Sequence, residues 1–271
     1  IVVVEGEEVI PQTKLHLIGS HSYGATGGIS KYEWNVTQPA GSQSLFYPSY
    51  SQADPTFDVN AAGTYLFELR VWDDNGEESC APAQKQVVVI PDEAIHVELL
   101  WDTPNDPDQT NEGSEAGADL DLHFMHWFAS GGCDVDLDGT PDGWFDMPFD
   151  VSWINDNPNW GSLSPGVDDN PGLDLDDTDG VGPENLNLNT PEDGGKYTVG
   201  VHYWDDHGFG PSLATVRIFI YSTLVFELSG VELMPGALWE VADIAWPSGQ
   251  VSPISGVTGG YKIFPDVNHC P

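Results

Sequence analysis

Residues 63–76 read Gly63-Thr64-Tyr65-Leu66-Phe67-Glu68-Leu69-Arg70-Val71-Trp72-Asp73-Asp74-Asn75-Gly76. Tyr65, Phe67, Leu69 and Val71 occupy alternate positions, the period of a strand with one face in a core. Leu66 and Trp72 add apolar surface to the other face. Asp74-Asn75-Gly76 then predicts a type I′ hairpin turn. Upstream, Ile29 to Val36 repeats the pattern, with Tyr32, Trp34 and Val36 on one face. Lys14 to Ile18 alternates as well, and the β-branched run Ile1 to Val4 is a strand by propensity. Glycines mark loops at Gly19-Ser20 and from Gly24 to Gly28. Downstream, Gln86 to Ile90 closes the set and Pro91 ends it. Short alternating segments between Gly- and Pro-rich turns, with no sustained helical period, predict an all-β chain.

The 271 residues suffice for two ordinary domains. Aromatic and aliphatic content is ample for real cores, so the chain is not a disordered acidic tail. The formal charge is −37, from 44 acids against 7 bases. Such a surface repels nucleic acid and anionic membranes. Residues 1–91 hold 11 of the acids and 4 of the bases, leaving 33 and 3 for residues 92–271. The demand for counter-cations therefore falls on the second part. No stretch is long and apolar enough to span a membrane as a helix. The absence of Met at position 1 is read as the mark of a removed leader. Acidic loops and few lysines fit a secreted, extracellular or cell-surface setting. Cys80, Cys133 and Cys270 contain no C-x-x-C pair, which argues against thiolate zinc. One disulfide with one free thiol and an intermolecular bond both fit three cysteines.

The first 91 residues carry a resemblance. Gly19-Ser20-His21-Ser22, Gly28-Ile29-Ser30-Lys31-Tyr32-Glu33-Trp34, Pro55-Thr56-Phe57 and the stretch from Gly63 to Gly76 together resemble a PKD (polycystic kidney disease) domain. The resemblance implies an immunoglobulin-like β-sandwich that acts as a spacer or adhesion module and supplies no catalytic residues. The W-D-F-G-D-G stretch of that family is replaced by Trp34-Asn35-Val36-Thr37, which is also a glycosylation sequon.

After a short hinge at Pro91-Asp92-Glu93, Ala94 to Trp101 is a predicted strand and Asp102 to Gly117 a loop. In Ala118 to Phe128, Leu120, Leu122 and Phe124 point into a core, while Asp119, Asp121 and His123 form a row on the other face. Residues two apart on a strand lie about 6.5–7 Å apart, close enough for such a row to edge a cation site. Taken alone, an exposed polar face is the plainer expectation, because a half-buried sheet alternates in this way. Further strands are predicted at Phe149 to Ile154, Tyr197 to Trp204, Thr215 to Leu228 in two parts, and Trp239 to Trp246. Residues 251–271 read as a C-terminal tail with one short strand, Tyr261 to Phe264, which leaves 92–250 as the second domain.

Two stretches are dense in carboxylates. Asp134-Val-Asp136-Leu-Asp138-Gly139-Thr-Pro-Asp142 resembles the short calcium loops of extracellular proteins. Oxygen-only ligands in a flexible loop suit Ca²⁺ before Mg²⁺. It departs from an EF-hand, whose twelfth position is a bidentate Glu and is Phe145 here. A solvated acidic turn is the alternative, and Val135, Leu137 and Trp144 would be odd company for one. The second stretch carries Asp174, Asp176, Asp177, Asp179 and Glu184, and a second cation site is weighed there against a solvated loop.

Asp119-Leu-Asp-Leu-His123, Gly182-Pro-Glu-Asn185 and Gly195-Lys-Tyr197-x-Val199-x-Val201 resemble an uncharacterised bacterial secreted β-sandwich family with D-x-D-L-H and G-P-E-N motifs. The resemblance covers roughly residues 95–228, with insertions at 129–148 and 155–175. It implies a second β-sandwich in tandem, with long acidic insertions, in which Asp119, Asp121 and Glu184 converge.

The leading expectation is a non-enzymatic structural or adhesive surface protein stabilised by Ca²⁺ and able to self-assemble as a homo-oligomer, filament or array. The N-terminal strand is expected in its own sheet. A carbohydrate-binding module is the alternative, with Trp144 and Trp160 as exposed platforms for surface glycans and with Trp153 and Trp204 in the core. A metal-dependent hydrolase using His123, His202 and His207 comes third, because H-E-x-x-H and G-x-S-x-G are both missing.

Overall fold

A computed structural model describes residues 1–24, 27–110, 116–164, 166–256 and 260–270. Parts of the loops expected at 24–28 and 102–117 therefore lie outside the described residues. The described residues contain strands and no α-helix, and the chain divides into two compact units, Ile1–Pro91 and Asp92–Pro271.

The first unit has eight strands. They are β1 (Val2–Val3), β2 (Glu8–Val9), β3 (Thr13–Ile18), β4 (Ile29–Thr37), β5 (Phe46–Tyr47), β6 (Thr56–Val59), β7 (Gly63–Asp73) and β8 (Ala83–Val89). They form two four-stranded sheets, ordered β1-β3-β6-β5 and β2-β8-β7-β4. The alternation in β7 translates directly into burial: Tyr65, Phe67 and Leu69 join Leu15, Leu17, Trp34, Phe57, Val87 and Val89 in one core. The N-terminal run pairs with β3 inside its own sheet, as expected. Tyr65 turns its hydroxyl back to Ala61, four residues upstream, and so ties the loop before β7 to the strand. The turn after β7 differs from the expected type I′. Only Gly76 has a positive φ (83°), and its N–H bonds to the Asp73 carbonyl. That is the pattern of a type I turn followed by a left-handed glycine, in which Asp74 and Asn75 keep negative φ.

The second unit has twelve strands. They are β9 (Ile95–Asp102), β10 (Asp119–Met125), β11 (Asp150–Val151), β12 (Gly172–Leu173), β13 (Glu184–Leu188), β14 (Lys196–Asp205), β15 (Ser212–Ile220), β16 (Thr223–Leu233), β17 (Leu238–Ala245), β18 (Gln250–Pro253), β19 (Ser255–Gly256) and β20 (Gly260–Phe264). One sheet runs β12-β13-β9-β15-β16; the other runs β11-β10-β14-β17-β20-β19, with β18 also on β17. The inward residues of both sheets, among them Val97, Leu99, Leu120, Leu122, Phe124, Val199, Val201, Val216 and Trp239, make one apolar core.

The described residues after 250 differ from the irregular tail expected there. Strands β18 and β20 both pair with β17 and so belong to the sheet, and Cys270 bonds to Cys133. The expected strand Tyr261 to Phe264 is β20, and β18 is the strand that the sequence does not announce. Cys80 is the exposed free cysteine. Strand β13 starts at Glu184, inside what reads as an acidic loop, because its neighbours β9 and β12 impose a pairing that Glu-Asn-Leu-Asn-Leu does not announce.

Candidate metal centre

Strand β10 supplies the site. Its alternation sends Leu120, Leu122 and Phe124 into the core and Asp119, Asp121 and His123 to the opposite face. That face is not exposed, contrary to the plainer expectation from the alternation: Asp119, Asp121 and His123 are all buried. The cause is the insertion between β10 and β11, which folds back over the row. Gly200 faces His123 across the β10–β14 ladder, and a Cβ there would lie 2.6 Å from the Trp144 ring. The missing side chain lets Trp144 lie on the sheet, where its indole N–H donates to Glu240 Oε1 at 3.1 Å. Phe145 follows, with its ring edge-on to His123 and His202 at centroid distances of 4.8 and 5.5 Å. A second, smaller apolar cluster of Cys133, Val135, Trp144, Phe145, Leu238 and Val267 holds the insertion down, and the Cys133–Cys270 disulfide pins it.

Beneath this cover lies a polar layer. Asp150 Oδ2 contacts His123 Nδ1 at 2.8 Å and accepts the Phe145 N–H at 2.7 Å. His202 stands opposite Asp121 in the ladder, with Nδ1 3.6 Å from Asp121 Oδ2. Asp119 Oδ1, Asp121 Oδ2, His123 Nε2 and both ring nitrogens of His202 are buried with no hydrogen-bond partner. Buried polar atoms of native proteins are nearly always partnered, so a group of five within one face calls for a bound water or ion.

Asp176, from the second acidic stretch, completes a trio with Asp119 and Asp121 whose ligand oxygens all lie within 4.8 Å of one another. Asp176 is exposed, whereas the other two are buried. Glu184 organises the approach. Gly182 (φ 78°) turns the chain tightly against β9, where a Cβ would lie 2.7 Å from the Leu99 carbonyl. Glu184 Oε2 then accepts the Leu122 N–H at 2.6 Å, on the side of β10 that β11 is too short to cover. Its Oε1 accepts the Asp177 N–H at 3.2 Å. Glu184 therefore ties β10 to the acidic loop beside the trio.

The electrostatics follow from burial. Burial first, then the charges of Asp121 and Asp176, pushes Asp119 up to about 7. Asp121 also rises to about 7, chiefly by burial, with His123 pulling it back. Glu184 is raised well above the usual range by burial and then by Asp121. Burial opposes the charged form of His123, but the Asp150 carboxylate outweighs it and raises that imidazole. Burial, and then the charge of His123, lowers His202 to about 3.

The remaining expected residues divide clearly. In the first acidic stretch Asp134, Asp136 and Asp142 come within 4.8 Å of one another. Asp142 Oδ2 accepts the Val135 N–H and Asp134 Oδ2 the Gly139 N–H, at 2.9 and 2.8 Å. Asp138 stands outside that trio and accepts from the Thr140 hydroxyl at 2.5 Å. Val135 and Trp144 are buried, whereas Leu137 is exposed. In the second stretch Asp174 accepts from Asn187 at 2.7 Å, and Asp179 from the Gly180 N–H at 2.9 Å. His207 lies at the rim, with Nδ1 2.8 Å from the Gly117 carbonyl.

The tryptophans reverse the expectation. Trp144 and Trp160 are buried, at 0% and 4% exposure, and cannot serve as sugar platforms. Trp160 instead stacks on Phe124 in the core. Trp153 and Trp204 are the exposed pair, at 39% and 38%, with ring centroids 5.5 Å apart. Alternation assigns Trp204 correctly to a strand but does not reveal that it sits at the open end of β14. Asp150 is the other residue the sequence conceals, because a lone Asp between Phe149 and Val151 reads as a strand end. Asp106 is similar: it is buried, and its Oδ2 is unpartnered.

A protein-family model described as "K319L-like, PKD domain" matches residues 7–89. The first unit is thus a PKD-like β-sandwich. No curated protein and no solved structure matches the chain. No helix among the described residues is long and apolar enough to cross a membrane.

Proposed function

We propose that the chain is a secreted or cell-surface, non-enzymatic structural or adhesive protein whose acidic second unit is locked by divalent cations, with Ca²⁺ in the loop of Asp134, Asp136 and Asp142. PKD-like domains are typically extracellular and generally non-enzymatic. The observation that carries the cation reading is that no lysine or arginine pairs with the carboxylates of these clusters among the described residues. Lys14, Lys31, Arg70 and Lys85 pair with acids of the first unit. Lys196, Arg217 and Lys262 pair with Asp243, with Glu98 and Glu227, and with Glu240. All seven Lys and Arg residues are thus engaged elsewhere, while Asp119, Asp121 and Asp176 face one another. Like charges at this spacing in a partly buried site repel strongly, and a cation relieves them. The loop of Asp134, Asp136 and Asp142 lies on the covering insertion. An ion there orders the segment that seals the polar layer, which is a structural role rather than a chemical one.

Calorimetric titration of the metal-free chain with CaCl₂ tests this. Saturable binding that Asp142→Asn weakens supports it; heats no larger than those of dilution sink it. Self-assembly into a filament or array belongs to the same reading, and electron microscopy of the native material decides it.

A carbohydrate-binding role is the second reading, now resting on Trp153 and Trp204. Exposed neighbouring indoles offer apolar faces of the kind that stack on sugar rings. Glycan-array binding that disappears in Trp204→Ala would support it; an array without signal would not.

A further inference from the structure

We propose that Asp119, Asp121 and Asp176, with Nδ1 of His202, hold a divalent first-row transition ion of the Zn²⁺ class, chemically distinct from the calcium loop on the insertion. The proposal rests on reading this trio as a cation site, and it names the ion. The donor set differs from that of the loop in kind. The loop offers carboxylates in a largely exposed turn. Here one of the same number of carboxylates, Asp121, stands 3.6 Å from an imidazole whose two nitrogens have no hydrogen-bond partner and which is 1% exposed. Carboxylate and carbonyl oxygens suit Ca²⁺ and Mg²⁺, whereas imidazole suits zinc and its neighbours.

The geometry agrees. Two ligands each about 2.0–2.1 Å from zinc stand about 3.3 Å apart at the tetrahedral angle. Asp121 Oδ2 and His202 Nδ1 are 3.6 Å apart, so a small change in either side chain brings both to one ion. They are directly opposed in the β10–β14 ladder, and their spacing is therefore fixed by the sheet rather than by a flexible loop. Asp119, two residues along the same face, and Asp176 from the acidic loop supply the other two positions. Three of these four ligands are buried, which leaves Asp176 as the exposed side of the site. A site so enclosed fits a structural ion that fastens the 174–179 loop to β10 and β14, rather than one that activates water for a substrate.

Cobalt(II) is the probe, because its visible absorption reports coordination by nitrogen and oxygen donors. The full-length, metal-free chain is titrated with CoCl₂, then with ZnCl₂, and finally challenged with excess CaCl₂. The expected result is a saturable visible band that ZnCl₂ displaces and a hundred-fold excess of CaCl₂ does not. The variants His202→Gln and Asp176→Asn should weaken cobalt binding by more than about ten-fold, while Asp142→Asn leaves it unchanged. Asp176 is exposed, so Asp176→Asn keeps the test valid even if His202→Gln does not fold. The proposal is overturned if CaCl₂ displaces cobalt, or if both variants bind cobalt as the parent does. In the first case, calcium binding that Asp176→Asn weakens would leave the cation reading standing while this assignment falls. If neither ion binds and Asp176→Asn changes nothing, both fall.

Discussion

The two units use the same strand alternation to opposite ends. In the first, the residues that β7 places opposite the core stay at least partly exposed, and the interior is apolar apart from Ser42 and the Tyr65 hydroxyl it meets. In the second, the residues opposite the core are covered again, and a polar layer of Asp119, Asp121, His123, Asp150 and His202 lies between the sheet and its insertion. Alternation states which residues share a face. Whether that face is wet depends on what the rest of the chain lays over it. The second unit therefore has two interiors, one held by apolar contact and one in which several buried polar atoms have no hydrogen-bond partner.

The largest effect should come from removing the cover. Trp144→Ala takes a fully buried indole off the polar layer. It should cost the second unit about 3–5 kcal/mol, the usual range for a buried Trp. Urea unfolding followed by signals from each unit would check this, with the first unit unmoved.

A smaller, pH-dependent effect separates the units next. In the metal-free protein Asp119 and Asp121 are raised from 3.8 to about 7 by burial. Between those values these two carboxyls hold more protons in the folded state than in the unfolded one, so their contribution to stability is fullest below pH about 4 and is lost as pH rises through about 7. A bound ion takes the place of the protons and flattens the profile. Urea midpoints from pH 4 to 8, with chelator and with metal, should therefore diverge toward high pH. Coincident profiles would contradict the account.

The smallest effect lies within the loop. Asp142→Asn should weaken calcium binding by ten-fold or more, because Asp142 belongs to the carboxylate trio. Asp138→Asn should change it by less than about three-fold, because Asp138 is engaged with Thr140. Calcium titrations of both variants check the pair, and equal losses would mean that the loop closes differently around its ion.

Much of this was legible in the residues. Tyr65, Phe67 and Leu69, and again Leu120, Leu122 and Phe124, announce their strands because period two survives any tertiary context. The carboxylates of both clusters were visible as dense runs, and the motif around Glu184 marked the residue that bridges β10 and the acidic loop. Burial was not legible. Trp144 lies in a glycine- and aspartate-rich stretch whose composition reads as solvent-exposed, and only the notch at Gly200 shows where the indole lodges. That His202 stands opposite Asp121 was not legible either, since the register that pairs them is not revealed by the sequence. The short strand at Tyr261 to Phe264 was legible and stands as β20, whereas β18 was hidden because pairing with β17, rather than local propensity, creates it.

Hydrogen–deuterium exchange of the full chain, first with divalent cations and then after chelation, tests the central claim most directly. Removing the ions should accelerate exchange across residues 119–125, 134–145 and 174–184, where the polar layer and its cover lie. Residues 29–37 and 63–73, whose sandwich rests on apolar contact, should exchange at the same rate in both states. Faster exchange spread evenly over both units, or no change in either, would contradict a cation-held second unit.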